Sequence, residues 1–373
     1  MKLFKSNFLQ ILLGLLLTAF FFNQTFAQTP QPSQPQSPLT SQELVRLVYQ
    51  LPAHPERRDD VVAEIRRRGI GFELTSGLRG IVATKSGNDA LLRRTLEEAE
   101  RRRVNPTTAV RPSEREAADV LERARKATRD AAGAMPDFVV RQLVKRSYAR
   151  GETRNWTQTD QLTVAVSYRE SAGGEQYKLL AVNGLPATEE RGERGSYEQA
   201  GGTSSTGEFV STLSELFADS TQAEFQAADT DTIRERRAII YDYAVKLENS
   251  KQTLKVTEER GSDPLVARVG YRGRVWIDRE NPRVLRIEVI STDIPRDFPI
   301  TAAANTIDYD WVDISGRKYL LPVRSEVELT TKYKGQAYQT RNEIRFRNYQ
   351  KFGSEVKIIE EGDFEDEQPK KPF

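Results

Sequence analysis

Arg237-Ala-Ile-Ile-Tyr-Asp-Tyr-Ala-Val-Lys-Leu247 decides the fold class. Ile239, Tyr241, Tyr243, Val245 and Leu247 fall on one side of an extended chain. Ala238, Asp242 and Lys246 fall on the other, and Ile240 is the one large apolar residue out of phase. Side chains alternate across a strand, so this period of two reads as an antiparallel strand with one face buried and one wetted. The period returns in Tyr319, Leu321, Val323, Val327 and Leu329 against Arg324, Glu326 and Glu328. It returns again in Tyr338, Ile344 and Phe346 against Arg341, Glu343, Arg345 and Arg347.

Turn residues fall between these runs. Asp278-Arg-Glu-Asn-Pro282, Ser315-Gly316 and Lys334-Gly335 each separate two strand patterns, as hairpins require. The expectation is roughly eight to eleven strands over 113–352, joined mostly as a meander. A single sheet that long must curl or be covered. Two helices are the candidate covers. Ser113 caps a polar helix from Glu114 to Ala134 that turns Ala117, Val120, Leu121 and Ala124 inward. Thr206–Ala218 carries Phe209, Val210, Leu213, Leu216 and Phe217 as one wide apolar stripe. Gly201-Gly-Thr-Ser-Ser-Thr-Gly207 in front of it can hinge, so this helix is expected to be a movable lid. The loop lacks the Gly-Lys-Ser/Thr of a P-loop and reads as a flexible N-cap, not a phosphate cradle.

Upstream, 39–103 reads as a small helical module. Thr40 and Glu43 have capping-box spacing, with Leu44, Leu47, Val48 and Leu51 inward. Glu56–Arg68 is a second helix closed by Gly69, Thr75 opens a third, and Asn88–Arg103 is a fourth with Leu91, Leu92 and Leu96 inward. Arg66-Arg67-Arg68 and Arg101-Arg102-Arg103 read as solvated helix ends favoured by the macrodipole, the alternative being a docking surface for an acidic partner. Residues 104–112 are a linker, and 353–373 a charged tail.

The first residues carry an address. Lys2 and Lys5 precede an apolar run from Phe8 to Phe22, and Thr25-Phe26-Ala27 supplies a small-x-small cleavage site. The run is about 15 residues, short of the roughly 20 needed to span a bilayer. Residues 1–27 are therefore expected to be a signal peptide and 28–38 a Pro/Gln-rich linker, which places the protein in the periplasm or outside the cell. An uncleaved anchor is the alternative. Cleavage removes two lysines from a chain of formal charge +2, and a neutral chain argues against nucleic-acid binding.

Of 373 residues none is Cys and one is His. Disulfides, a lipoprotein anchor, thiolate sites and multi-histidine zinc sites are excluded. The single histidine, His54, lies in the proline-bracketed turn Leu51-Pro-Ala-His-Pro55 and reads as exposed. Asp308, Asp310 and Asp313 read as partners of nearby arginines, since calcium needs six to eight oxygens from a folded loop. Asp229 and Asp231 read as a turn or the start of an element. No metal, cofactor or catalytic centre is expected.

Gly273-Arg-Val-Trp-Ile-Asp-Arg-Glu-Asn-Pro-Arg-Val-Leu-Arg-Ile-Glu288 resembles a hairpin of the periplasmic lipoprotein-carrier superfamily, the open half-barrels of the LolA, LolB and RseB type. Thr306-Ile-Asp-Tyr-Asp-Trp-Val-Asp-Ile314 with Leu320-Leu-Pro322 looks like the next strand pair. The span 113–352 also resembles a family of exported acidobacterial proteins, and 39–103 resembles a helical module appended to acidobacterial multidomain proteins. The resemblance implies an α+β fold: a large curled antiparallel sheet, an open half-barrel covered by helices, after a small all-α module. It implies binding of an acyl chain or lipidated partner in the concavity, with no cofactor and no catalytic residues.

The functional expectation is an exported, non-enzymatic protein whose groove is lined by Phe209, Leu213, Phe217, Tyr241, Tyr243, Trp276 and Trp311. Its ligand would be a lipid or a lipidated protein, with membrane contact only peripheral. The alternative is an envelope interaction protein with a filled core that binds its partner through the helical module. A hydrolase using paired carboxylates is the third reading.

Overall fold

The computed structural model describes residues 37–106, 110–151, 153–169, 171, 174–187, 203, 209, 211–256, 264–333 and 335–353. The expected signal peptide at 1–27, most of the expected linker at 28–38, the tail from 354 and most of Gly201–Gly207 lie outside them.

Alternation builds one sheet of eleven antiparallel strands in the order β4-β3-β2-β1-β13-β12-β11-β10-β9-β6-β5. Its strands are β1 Phe138–Arg150, β2 Thr157–Arg169, β3 Gly174–Val182, β4 Leu185–Pro186, β5 Glu224–Ile233 and β6 Arg236–Val245. They continue with β9 Gly270–Asp278, β10 Val284–Thr292, β11 Ile300–Ile314, β12 Arg317–Tyr333 and β13 Gln336–Lys351. A separate hairpin, β7 Thr253–Val256 with β8 Leu265–Arg268, interrupts the run between β6 and β9. The sheet is open, with β4 and β5 at its two edges. The Asp278–Pro282 and Ser315-Gly316 turns fall where the sequence puts them, and Lys334 of the third lies outside the described residues. Ser315 and Gly316 have φ of 56° and 81°, the left-handed pair that a two-residue hairpin turn demands.

The sheet is not a simple meander. β9 to β13 run as one, but β13 then pairs with β1, so the first hairpins lie beyond the last strand. Between β4 and β5 the chain passes from one edge to the other, and α6 Ser211–Leu216 is the described helix of that connection. Phe209 is described just ahead of it, while Val210 and 204–208 are not.

The inward side of the sheet carries α5 Glu114–Gly133 and α6. The out-of-phase Ile240 has a cause: with Ala228, Ile233, Ala238, Trp276 and Leu285 it forms a small apolar cluster on the opposite side. Between Asp308 and Tyr309 the register slips, and β12 advances from Arg324 to Pro322 for one step of β11. Across this slip β12 keeps Leu329, Val327, Leu321 and Tyr319 inward, whereas β11 changes its inward residues. Beyond it Val312 and Ile314 pack inward, and Trp311 points away from the core in which Ile307 and Tyr309 lie.

Among the described residues, four α-helices precede α5: α1 Ser41–Tyr49, α2 Arg58–Arg68, α3 Ser76–Lys85 and α4 Ala90–Val104. The Thr40–Glu43 capping box forms as spaced. A 3-10 turn, Pro55–Arg57, stands where the second helix was expected to begin. Gly69, at φ 68°, ends that helix in a conformation that favours glycine. Leu44, Val48, Ile65, Leu92 and Leu96 make a core belonging to these helices alone.

Candidate functional site

The helix-bearing side of the sheet divides into two apolar clusters. In the first, Leu213, Leu216 and Phe217 with Ala117, Val120 and Ala124 of α5 cover Tyr241, Tyr243, Tyr271, Val275, Ile287 and Tyr309. The Tyr241 hydroxyl donates to the Ala117 carbonyl at 2.7 Å, which fastens α5 to β6. The Tyr243 hydroxyl crosses β9 and donates to the Glu288 carbonyl of β10 at 2.7 Å. It can do so because Gly273 lies beneath it: a Cβ there would collide with the Glu288 carbonyl oxygen. Burial pushes the phenols of Tyr241, Tyr243 and Tyr271 above their ordinary range, so they stay neutral, and those of Tyr241 and Tyr243 donate.

The second cluster centres on Phe209. Its ring meets Phe346 of β13 at 5.1 Å, Phe138 of β1 at 5.5 Å and Tyr349 at 6.3 Å. Phe138 in turn stacks on Tyr168 of β2 at 5.5 Å. Val140, Val144, Val164, Val166, Leu321 and Ile344 extend this apolar floor. Near it, Thr203 bonds to Thr340 at 2.6 Å, and its carbonyl accepts from the Asn342 amide at 2.6 Å.

The sequence-derived residues therefore do not form one groove. Leu213, Phe217, Tyr241 and Tyr243 share the first cluster, and Phe209 belongs to the second. Trp276 is buried on the far side of the sheet, where its indole N–H donates to Asp231 at 3.1 Å. Trp311 is 36% exposed, on the side to which the register slip turned it. Asp308 pairs with Arg286 at 2.6 Å and Asp310 with Arg234 at 3.1 Å, while Asp313 accepts the Gly316 amide in the turn. His54 is exposed beside Glu56.

The far side of the sheet holds a site that sequence reasoning missed. α1–α4 sit on it through ion pairs. Arg66 meets Asp242 at 2.8 Å, Arg102 meets Asp229 at 3.3 Å and Arg101 meets Asp231 at 3.4 Å. Arg94 pairs with Glu288. At the centre Arg274 of β9 pairs with Glu98 of α4, each 2% exposed, and with Asp242 at 2.7 Å. Burial pushes the Glu98 carboxyl up to about 7; Arg274 opposes the rise and nearby Asp229 adds to it. Burial, with Arg274 close by, pulls the Arg94 guanidinium down to about 10. Three of the arginines read as solvated helix ends, Arg66, Arg101 and Arg102, thus face carboxylates of the chain's own sheet, and Asp229 and Asp231 lie inside a strand, not at a turn. The signal that could have found the seam is spacing. Arg94, Glu98, Arg101 and Arg102 stand at i, i+4, i+7 and i+8, a charged stripe as regular as any apolar one.

No protein-family model matches the sequence, and no curated protein does. Among solved structures, the chain is similar to a LolA superfamily protein from Nitrosomonas europaea, at 11% identity over 62% of this chain and 92% of that one, with a TM-score of 0.25. It is similar to a DUF1329 family protein from Desulfovibrio piger at 10% identity over 65% and 95%, with a TM-score of 0.28. A third is the MucA/MucB complex of Pseudomonas aeruginosa, at 10% identity over 62% and 98%, with a TM-score of 0.17. Among the described residues no helix is long and apolar enough to cross a membrane.

Proposed function

We propose that this is an exported, non-enzymatic binding protein that takes an apolar group, an acyl chain or the lipid of a lipidated protein, against the aromatic floor of β1, β2 and β13. The observation that carries this reading is the placement of Phe209. It is an aromatic side chain from the edge-to-edge connection, set among Phe138, Phe346 and Tyr349. Phe209 is then the internal stand-in for the ligand, and binding requires it to move aside. The other half of the helix-bearing side, where Tyr241 and Tyr243 are bonded under α5, serves as core.

Displacing a buried phenylalanine costs about 3 kcal/mol, and a ligand bears that cost in its apparent affinity. A fluorescent fatty acid should therefore bind the Phe209→Ala variant about a hundredfold more tightly than the parent chain. Failure of both to take up the probe, with the variant still folded by circular dichroism, would overturn the reading. The alternative, a filled-core interaction protein, is favoured by one specific observation: the ionic seat of α1–α4.

A further inference from the structure

The α1–α4 unit and the sheet each have their own apolar core. Ion pairs join them, beside the small apolar cluster around Ile240 and Trp276. Buried ions lose hydration, and their attraction offsets that loss only when every donor and acceptor is well paired. Here the pairing is incomplete. Arg94 Nε, Glu98 Oε2, Arg102 Nε and Arg274 Nη2 are buried without an aligned hydrogen bond. When such a seam opens, both cores survive and the ions regain water.

We propose that α1–α4 form a releasable cap on an acidic docking surface of the sheet, and that Asp229, Asp231, Asp242 and Glu288 receive a basic segment of a partner protein when the cap is off. The cap displays the chemistry that the surface accepts: arginines 94, 101 and 102 on one helix face, with Arg66 beside them. Without the cap, these four carboxylates are left with Arg274 of β9 as the cation central among them; Arg286 nearby is engaged by Asp308. A cationic partner is therefore the complementary one.

The seam also carries a proton switch. Glu98 is faced by Arg274 of β9, Asp229 of β5 and Asp242 of β6, with Arg94, Arg101 and Arg102 of its own helix and Arg66 of α2 around it. Its carboxyl has a pKa of about 7 when seated, against 4.5 ordinarily. The seated form therefore holds the extra proton between those values. Seating is strongest at low pH, weakens as pH rises to about 7 and then levels off. From pH 5.5 to 8.5 the seating constant should fall about 30-fold.

The chain has no cysteine, so Thr84→Cys on α3 and Thr232→Cys on β5, both exposed positions, accept a fluorophore pair cleanly. Energy transfer in the full chain should show a separated population whose ratio to the seated one grows about 30-fold from pH 5.5 to 8.5. In Glu98→Gln the ratio should change less than about threefold. Octa-arginine peptide should bind more tightly at pH 8.5 than at pH 5.5, and should not bind a folded Asp229→Asn, Asp242→Asn, Glu288→Gln variant. A single seated distance at both pH values overturns the proposal. So does an undiminished pH response in Glu98→Gln, or equal peptide binding by the triple variant.

Discussion

Replacing Arg274 with alanine probes the seam most severely. Arg274 is 2% exposed and pairs with both Glu98 and Asp242. Its loss leaves two carboxylates without their shared cation, and breaking a buried pair from one side costs about 3–5 kcal/mol. One of the two can escape. Glu98 already titrates near 7, and without Arg274 its pKa rises further. At pH 5.5 it takes a proton, and the penalty shrinks towards that of an unsatisfied neutral polar group, about 1–3 kcal/mol. At pH 8 the proton must be drawn from a solution that holds few, so the full cost remains. The sign follows from linkage: a carboxyl raised in the folded form stabilises at low pH, and the contribution is lost as pH rises through the folded pKa. Urea unfolding of Arg274→Ala at both pH values measures the difference. The paired replacement Arg274→Met with Glu98→Leu should cost far less than the single change, since apolar groups of similar volume need no partners. A cost under about 1 kcal/mol at pH 8, or an equal cost at both pH values, would refute the reasoning.

Gly273→Ala should destabilise by about 1–3 kcal/mol, because its Cβ meets the Glu288 carbonyl oxygen and backbone must move, whereas Tyr243→Phe should lose about 1 kcal/mol with its hydrogen bond; thermal unfolding separates the two. Trp276→Ala should cost about 3–5 kcal/mol and Trp311→Ala under about 1 kcal/mol, since one is buried and the other is not; equal effects would contradict the inverted face of β11.

The sheet was legible because much of its far face carries polar side chains. Where a strand sets an apolar face against a largely polar one, as in Arg237–Leu247, the period of two names both the strand and its inward residues. Hairpin turns were legible because few residues accept left-handed backbone, as at Ser315-Gly316. Two things escaped. The slip at Asp308–Tyr309 leaves no mark in a pattern of Ile307, Tyr309 and Trp311 that alternates without fault, because the extra residue lies on the neighbouring strand. The joining of β1 to β13 is a contact between the ends of the sheet domain, which local periodicity does not encode. The charged seam escaped for a different reason. Arginines at a helix end satisfy the macrodipole on their own account, so Arg66 and Arg102 needed no partner to be explained. Only the spacing of Arg94, Glu98, Arg101 and Arg102, set against the outward carboxylates of β5, β6 and β10, gives the match.

The binding claim itself is tested most directly by a photoreactive fatty acid. Irradiated with the full chain and mapped by peptide mass spectrometry, the probe should label β1, β2 and β13 near Phe138, Tyr168 and Phe346, and the label should increase in Phe209→Ala. Labelling confined to α1–α4, or none above an unlabelled-competitor control in either protein, would contradict it.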